Sequence, residues 1–313
     1  MTSAISFCND IDYADWETYK AVHQELETMG IKVTDSFWLY SPSGSEMALF
    51  KTNIREKAPK HDELLTDINS GKLNILHSLG DFSSTSTDFI PTREMMQEGL
   101  EYLKQHANVP LIWTNHGDYG DIDNIVGSGS HYNFQGDSPS SPIYVIDLLL
   151  QYGVRFFWTV SSSKSLNQFV FSASDVKTMD RTFNSMFSTP LALIEKVTTE
   201  AGFTINSFGR YGFDGTNVPG PDAQTIWRQL TKENLEKLAH AKNGYCILYQ
   251  HWACHREAGK TFTAGRPIFP PKSRQALEYL SGMVQEGRLR IMNVLDMLLE
   301  AEDKLNVLQK GVI

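Results

Sequence analysis

The feature that most constrains this chain is the alternation of short apolar runs with amphipathic helical patterns along most of its 313 residues. That alternation is the mark of βα units whose strands pair in parallel. The first unit is explicit. Ala4 to Cys8 reads as a buried strand, and Trp16, Tyr19, Val22, Leu26 and Met29 then recur at spacings of three and four, with Gly30 as the stop signal. The same logic predicts strands at Ile31 to Tyr40, Leu73 to His77, Leu111 to Thr114, Arg155 to Thr159, Tyr245 to Tyr249 and Arg288 to Met292. Helices are expected at His61 to Asn69, Thr92 to His106, Ile143 to Tyr152, Pro190 to Thr199, Lys232 to Ala241, Ser273 to Glu286 and Val294 to Ala301. One domain spanning 1–313 is the expectation, since parallel βα folds of that size occur as single units. The polar and Gly-rich stretches Gly117 to Pro142, Ser161 to Asp175 and Arg210 to Gln224 are long for a compact domain and are expected to be binding loops.

Charge and cysteine usage narrow the partners. A formal net charge of −9, from 28 basic and 37 acidic side chains, opposes nucleic acid and anionic membrane surfaces, which need a positive field. Cys8, Cys246 and Cys254 are too few and too scattered for a disulfide framework, which points to a reducing compartment. No run is long and apolar enough to span a bilayer, and the first residues lack the layout of a signal peptide. A cytoplasmic protein is expected.

The polar residues that follow the predicted strands form a pattern: Asp10 and Asp12, then His77 and Asp81, then Asn115, His116 and Asp118, then His251. In a parallel βα barrel such carboxyl ends share one face, so these residues would converge. Asp12, His77 and Asp81 together offer imidazole and carboxylate ligands for a divalent ion. The competing account has His77 ending a strand and Asp81 closing a turn. His23, His61, His106 and His240 fall within or beside predicted helices and read as surface or core-edge residues. Other signals fail on their own terms. "AGKT" at Ala258 to Thr261 lacks the leading glycine of a phosphate loop, and His251, Cys254 and His255 have no second ligand pair at finger-like spacing. "GSGSHYNF" lacks the third glycine of a dinucleotide fingerprint and is expected to be a loop whose His131 touches substrate.

The order of "SFCNDID", "LHSLGD", "WTNHGD" and "ILYQHW" resembles the polysaccharide deacetylase superfamily, known also by NodB homology and as carbohydrate esterase family 4, over most of the chain. The resemblance implies an α/β fold, a distorted (β/α)7 barrel, with Asp10 as general base, Asp12 as metal ligand and His251 as the acid that protonates the leaving group. The family's second motif is His-x-x-x-His. His77 keeps its first position, but Asp81 stands at the second. That leaves a harder, carboxylate-rich site, a site completed by another group such as His116, or a member that has lost its metal. The family's Arg-Pro-Pro type segment is also absent; Asn115-His116-Gly117 replaces it and is expected to line the site. The implied cofactor is a divalent ion, Zn or else Mn, Co, Ni or Mg, and the implied partner is a carbohydrate.

Chemistry supports the same residue types. A divalent ion polarises an amide carbonyl and acidifies a bound water, whose proton a neighbouring carboxylate such as Asp10 can accept. The departing amine needs a proton, which an imidazole such as His251 supplies near neutral pH. Trp113, Trp158 and Trp252 stand on or beside strand ends, where an indole either fills core or offers a face to a sugar ring. The leading expectation is a metal-dependent hydrolase that removes an N-acetyl or related acyl group from an amino sugar or polysaccharide precursor. A glycoside hydrolase is the second, and it needs Asp81, Asp118 or Asp121 across the bond from Asp10 and Asp12. A non-catalytic carbohydrate-binding protein on a degenerate barrel is the third.

Overall fold

The segment AISFCND is buried at every residue, so both faces of this strand are covered, as happens in a parallel sheet flanked by helices. The computed structural model describes residues 2–82, 89–107, 109, 111–116, 122–126, 135–159, 166–167, 192–210, 222–241, 244–253 and 268–310. The strands are β1 (Ala4–Asp10), β2 (Asp35–Tyr40), β3 (Ala48–Phe50), β4 (Leu73–His77), β5 (Ile112–Thr114), β6 (Phe156–Trp158), β7 (Leu166–Asn167), β8 (Ala192–Thr198), β9 (Thr204–Phe208), β10 (Tyr245–His251) and β11 (Arg290–Ile291). The helices are α1 (Trp16–Thr28), α2 (His61–Asn69), α3 (Arg93–His106), α4 (Ile146–Tyr152), α5 (Lys232–His240), α6 (Pro271–Gln285) and α7 (Val294–Lys310). They fall into two units: Met1–Thr34 with Ser162–Glu195 and Gly209–Ile313, and Asp35–Ser161 with Lys196–Phe208.

In the first unit β1 is the centre of a parallel sheet in the order β10-β1-β11. Ile5 and Phe7 on one face of β1, with Cys246 and Leu248 of β10, meet Val22 and Leu26 of α1 and Leu277 and Leu280 of α6 in one core. The α1 start is fixed by Asp15, whose carboxylate accepts the Thr18 N–H at 2.7 Å, and Gly30 follows its end at φ +71°, a conformation glycine adopts without strain. At the other end, Glu300 on α7 accepts from Arg290 at 2.8 and 2.9 Å and from the Tyr245 hydroxyl at 2.6 Å. The Arg290 hydrogen bonds, opposed by burial and aided by Tyr245 and Lys304, hold the Glu300 carboxyl far below its ordinary range. A carboxyl depressed in the fold contributes stability that is complete above its unfolded pKa, about 4.3, and is lost as pH falls toward the folded value. Urea denaturation below pH ~4 should therefore narrow the stability gap between wild type and Glu300→Gln. A gap that stays constant down to pH ~2 would remove Glu300 from the acid response.

The second unit carries parallel strands in the order β3-β2-β4-β5-β6-β9. The β4–β5 register sets His77 beside Thr114 at the carboxyl ends. Helix α3 begins at Thr92, whose side chain accepts the Met95 N–H, and α4 ends at Gly153 with φ +114°.

The mixed α/β character with parallel pairing agrees with the sequence. The closed barrel does not, because among the described residues the sheet order runs open from β3, and no strand pairing closes it. The helix expected over Pro190 to Thr199 is a strand, β8. Ile194, Val197, Thr198 and Thr199 are β-branched and prefer the extended state, and the turn after β8 is closed by Thr199 N–H to Phe203 O at 2.9 Å with Gly202 at φ +84°. Strands β3, β7 and β9 are not among the expected ones, and β7 falls within the Ser161 to Asp175 stretch expected as a loop. The strand expected from Ile31 starts at Asp35, because Ile31 and Val33 belong to the core of the first unit. Most of the three expected loops, with Asp118, Asp121, His131, Cys254 and His255, lie outside the described residues. No helix among the described residues is long and apolar enough to cross a membrane.

Candidate functional site

In the first unit parallel pairing places Asp10 opposite His251, each the last residue of its strand. Asp10 is buried and clamped by Arg210, whose Nη1 donates to Oδ1 and Nη2 to Oδ2, the latter at 2.7 Å. The guanidinium also lies 3.8 Å from the Cys8 sulfur and 4.2 Å from the Tyr249 ring centroid. Burial works against its charge, but the Asp10 carboxylate, with Cys8 and Tyr249 beside it, keeps its pKa above the ordinary arginine value. A two-pronged arginine contact of this kind fixes the plane of a carboxylate as well as its charge. His251 turns Nε2 to Asp12 Oδ2 at 3.2 Å and to the Tyr249 hydroxyl at 3.0 Å, with Asp10 Oδ2 at 3.8 Å. Its Nδ1 is buried and has no hydrogen-bond partner among the described residues. A neutral His251 therefore carries its proton on Nε2, facing the carboxylate.

In the second unit the strand ends present a pair of imidazoles. His77 and His116 are both buried, their ring centroids are 4.6 Å apart, and ligand nitrogens of the two lie within 4.8 Å. Nδ1 of His77 contacts Thr114 Oγ1 at 2.8 Å, the kind of second contact that orients a metal-bound imidazole. Trp38 packs against both rings, at 5.9 Å from His77 and 5.8 Å from His116. His116 is set by Asn124, which accepts its N–H and donates to its carbonyl, both at 2.8 Å. The turn after His77 is held by Asp123, which accepts the Leu79 N–H at 2.7 Å, and Ser78 sits at φ +51°. A non-glycine residue in that region stores strain, which collects at functional positions. Two buried, oriented imidazoles suit a divalent ion such as Zn²⁺.

The remaining expectations divide. Asp81 is half-buried, its N–H bonding Tyr40 O at 3.0 Å where residue 80 bridges the end of β2, and among the described residues it does not join His77 and His116 in a close ligand set. Trp113 is wholly buried and spends its indole N–H on Asn115 Oδ1 at 2.8 Å, so it has no face to offer a sugar. Asn115 also donates to Ile125 O at 2.9 Å and accepts from Ile125 N at 3.0 Å, which makes it a brace for residues 122–126 rather than a substrate contact. Trp252 packs between Phe7 and Phe269 in the core of the first unit, again with no exposed face. Arg210, Thr114, Trp38 and Asn124 were not singled out from the sequence. Arg210 had a readable signal: it stands two residues beyond Phe208, the end of the alternating segment TINSF that forms β9.

No protein-family model and no curated protein matches the chain. Solved structures show a distant likeness. A mutant of a CE4-family pseudoenzyme with restored enzymatic activity is 11% identical with a TM-score of 0.36, over 95% of this chain and 68% of that one. A second mutant of a CE4-family pseudoenzyme is 11% identical with a TM-score of 0.36, over 95% and 67%. A deacetylase solved with substrate is 10% identical with a TM-score of 0.32, over 96% and 92%.

Proposed function

We propose that the protein is a metal-dependent hydrolase of the polysaccharide deacetylase type, removing an N-acetyl or related acyl group from an amino sugar or polysaccharide precursor. The observation that carries this reading is the strand-end cluster of the first unit, where arginine-clamped Asp10 stands in register with His251 and His251 rests on Asp12. His77 and His116 are the imidazoles that would hold the ion. Assigning Asp12 as the carboxylate ligand rests on the sequence pattern. When bound, the ion polarises the amide carbonyl and makes water acidic enough to be deprotonated near neutral pH.

The protein's own groups then move the protons. Arg210 fixes the plane of the Asp10 carboxylate with a hydrogen bond to each oxygen. Asp10 is the group assigned to accept the proton of the attacking water. His251, when it carries both protons, is stabilised by Asp12 at Nε2 and is the group assigned to give one up. The departing amine receives that proton. Cysteine usage supports action in the cytoplasm, since Cys8 and Cys246 are buried thiols. The single-domain organisation over 1–313 belongs to the same reading and rests on the sequence.

Metal titration tests it. Stoichiometric Zn²⁺ binding, measured calorimetrically on chelator-treated protein, is expected to disappear in His116→Ala. Asp81→His should leave the preference for Zn²⁺ over Mn²⁺ unchanged, because residue 81 is tied to the end of β2 and stands outside the ligand set. A shift of preference toward Zn²⁺ in Asp81→His would return Asp81 to the ligand set. Wild-type protein that takes up no divalent ion would leave a carbohydrate-binding protein as the better reading.

A further inference from the structure

Tyr13 directly follows Asp12, and its backbone lies at φ +65°, a region that bulky L-residues avoid. Its side chain is 68% exposed, so the fold gains little burial in return for that conformation. Glycine or asparagine would fit the turn without strain. The ring is nonetheless placed with purpose: its centroid is 6.1 Å from that of His251, at an interplanar angle of 54°, beside the imidazole that faces Asp12. Trp113 and Trp252 near the strand ends are buried, and Tyr249 on β10 is half-buried, so Tyr13 is the most exposed of these rings. An exposed aromatic face in a strained turn, one residue from a carboxylate of the candidate site, is a position kept for contact with something outside the chain.

We infer that Tyr13 is the stacking platform for the pyranose ring of an acylated amino sugar, holding it beside His251; this rests on the hydrolase reading and names its substrate-binding residue. A phenol ring presents a flat apolar face to the axial C–H groups of a sugar, and the face, not the hydroxyl, carries the contact.

The test is binding of the tetramer of β-1,4-linked N-acetylglucosamine to the purified full chain, followed by NMR with a chelator present so that the probe is not consumed. Tyr13→Ala is expected to weaken binding roughly tenfold, while Tyr13→Phe and Tyr13→Trp stay within about twofold of wild type. Tyr13→Gly should weaken binding as much as alanine does and raise the melting temperature, because glycine relieves the strained φ. Equal affinity of wild type and Tyr13→Ala overturns the inference and leaves the hydrolase reading standing. So does a Tyr13→Ala variant that binds normally but turns over slowly, which would make Tyr13 a positioning residue for His251. A lower melting temperature in Tyr13→Gly also overturns it, since the turn would then depend on the tyrosine for stability. Absence of binding by wild type overturns the inference together with the carbohydrate part of the proposed function.

Discussion

Asp10→Asn is expected to lower turnover by roughly 10²- to 10⁴-fold and, in the same protein, to cost the fold roughly 3–5 kcal/mol. The first effect follows from losing the group assigned to accept the water's proton. The second follows from Arg210, which is buried and would be left without its counter-charge. Removing one partner of a buried ion pair strands the other, whereas replacing both by apolar groups of similar shape is often tolerated. The double variant Asp10→Asn with Arg210→Met should therefore regain much of the stability seen by urea denaturation and none of the turnover. Metal content should stay near that of wild type in both, because Asp10 is assigned to proton transfer. If metal and activity vanish together while the fold holds, the roles of Asp10 and Asp12 are exchanged. If turnover returns in the double variant, Asp10 is a structural partner of Arg210 and nothing more.

His251→Ala is expected to cut kcat by roughly 10²- to 10⁴-fold with KM within a fewfold of wild type, the signature of losing a proton donor needed only as the bond breaks. A stability loss smaller than that of Asp10→Asn should accompany it, since the removed ring leaves Asp12 with solvent access, its side chain being 16% exposed. The comparison with substrates whose leaving amine is already acidic sharpens the result. For those the departing nitrogen needs less help, and the penalty should shrink. An equal penalty across leaving groups would take His251 out of the proton-delivery step, and an unchanged rate would take it out of the mechanism.

The parts of the fold legible in the sequence were those where local pattern and tertiary environment agree. β4 and α2 were located to the residue, because a run of buried apolar residues or a helical stripe bounded by turn signals admits one reading. β8 was misread where they disagree: Leu191, Leu193, Ile194 and Val197 imitate a helical stripe, and only the hairpin to β9 decides for the strand. Asp10, His77, His116 and His251 stand out in the sequence because each ends or closely follows a predicted strand. The groups that hold them in place do not. Arg210 and Asn124 act across 200 and 8 residues of sequence on partners that no spacing rule connects to them. The tryptophans failed for the opposite reason, since an indole at a strand end looks the same in sequence whether its face is open or packed.

The pairing of β1 with β10 has a consequence for how this protein is made. β1 is made long before the strand β10 that fills its hydrogen-bonding edge; Asp12 and His251 are 239 residues apart. At ordinary translation speeds that interval is roughly 12–50 s, long compared with the folding of local structure. Throughout it, a seven-residue strand with apolar side chains on one face and a ladder edge unfilled is exposed to other nascent chains. Contacts this distant in sequence are also slow to form after release. The Asp10–His251 pair therefore cannot assemble until β10 has been made, and the unfilled edge of β1 has to be kept from other partners until then.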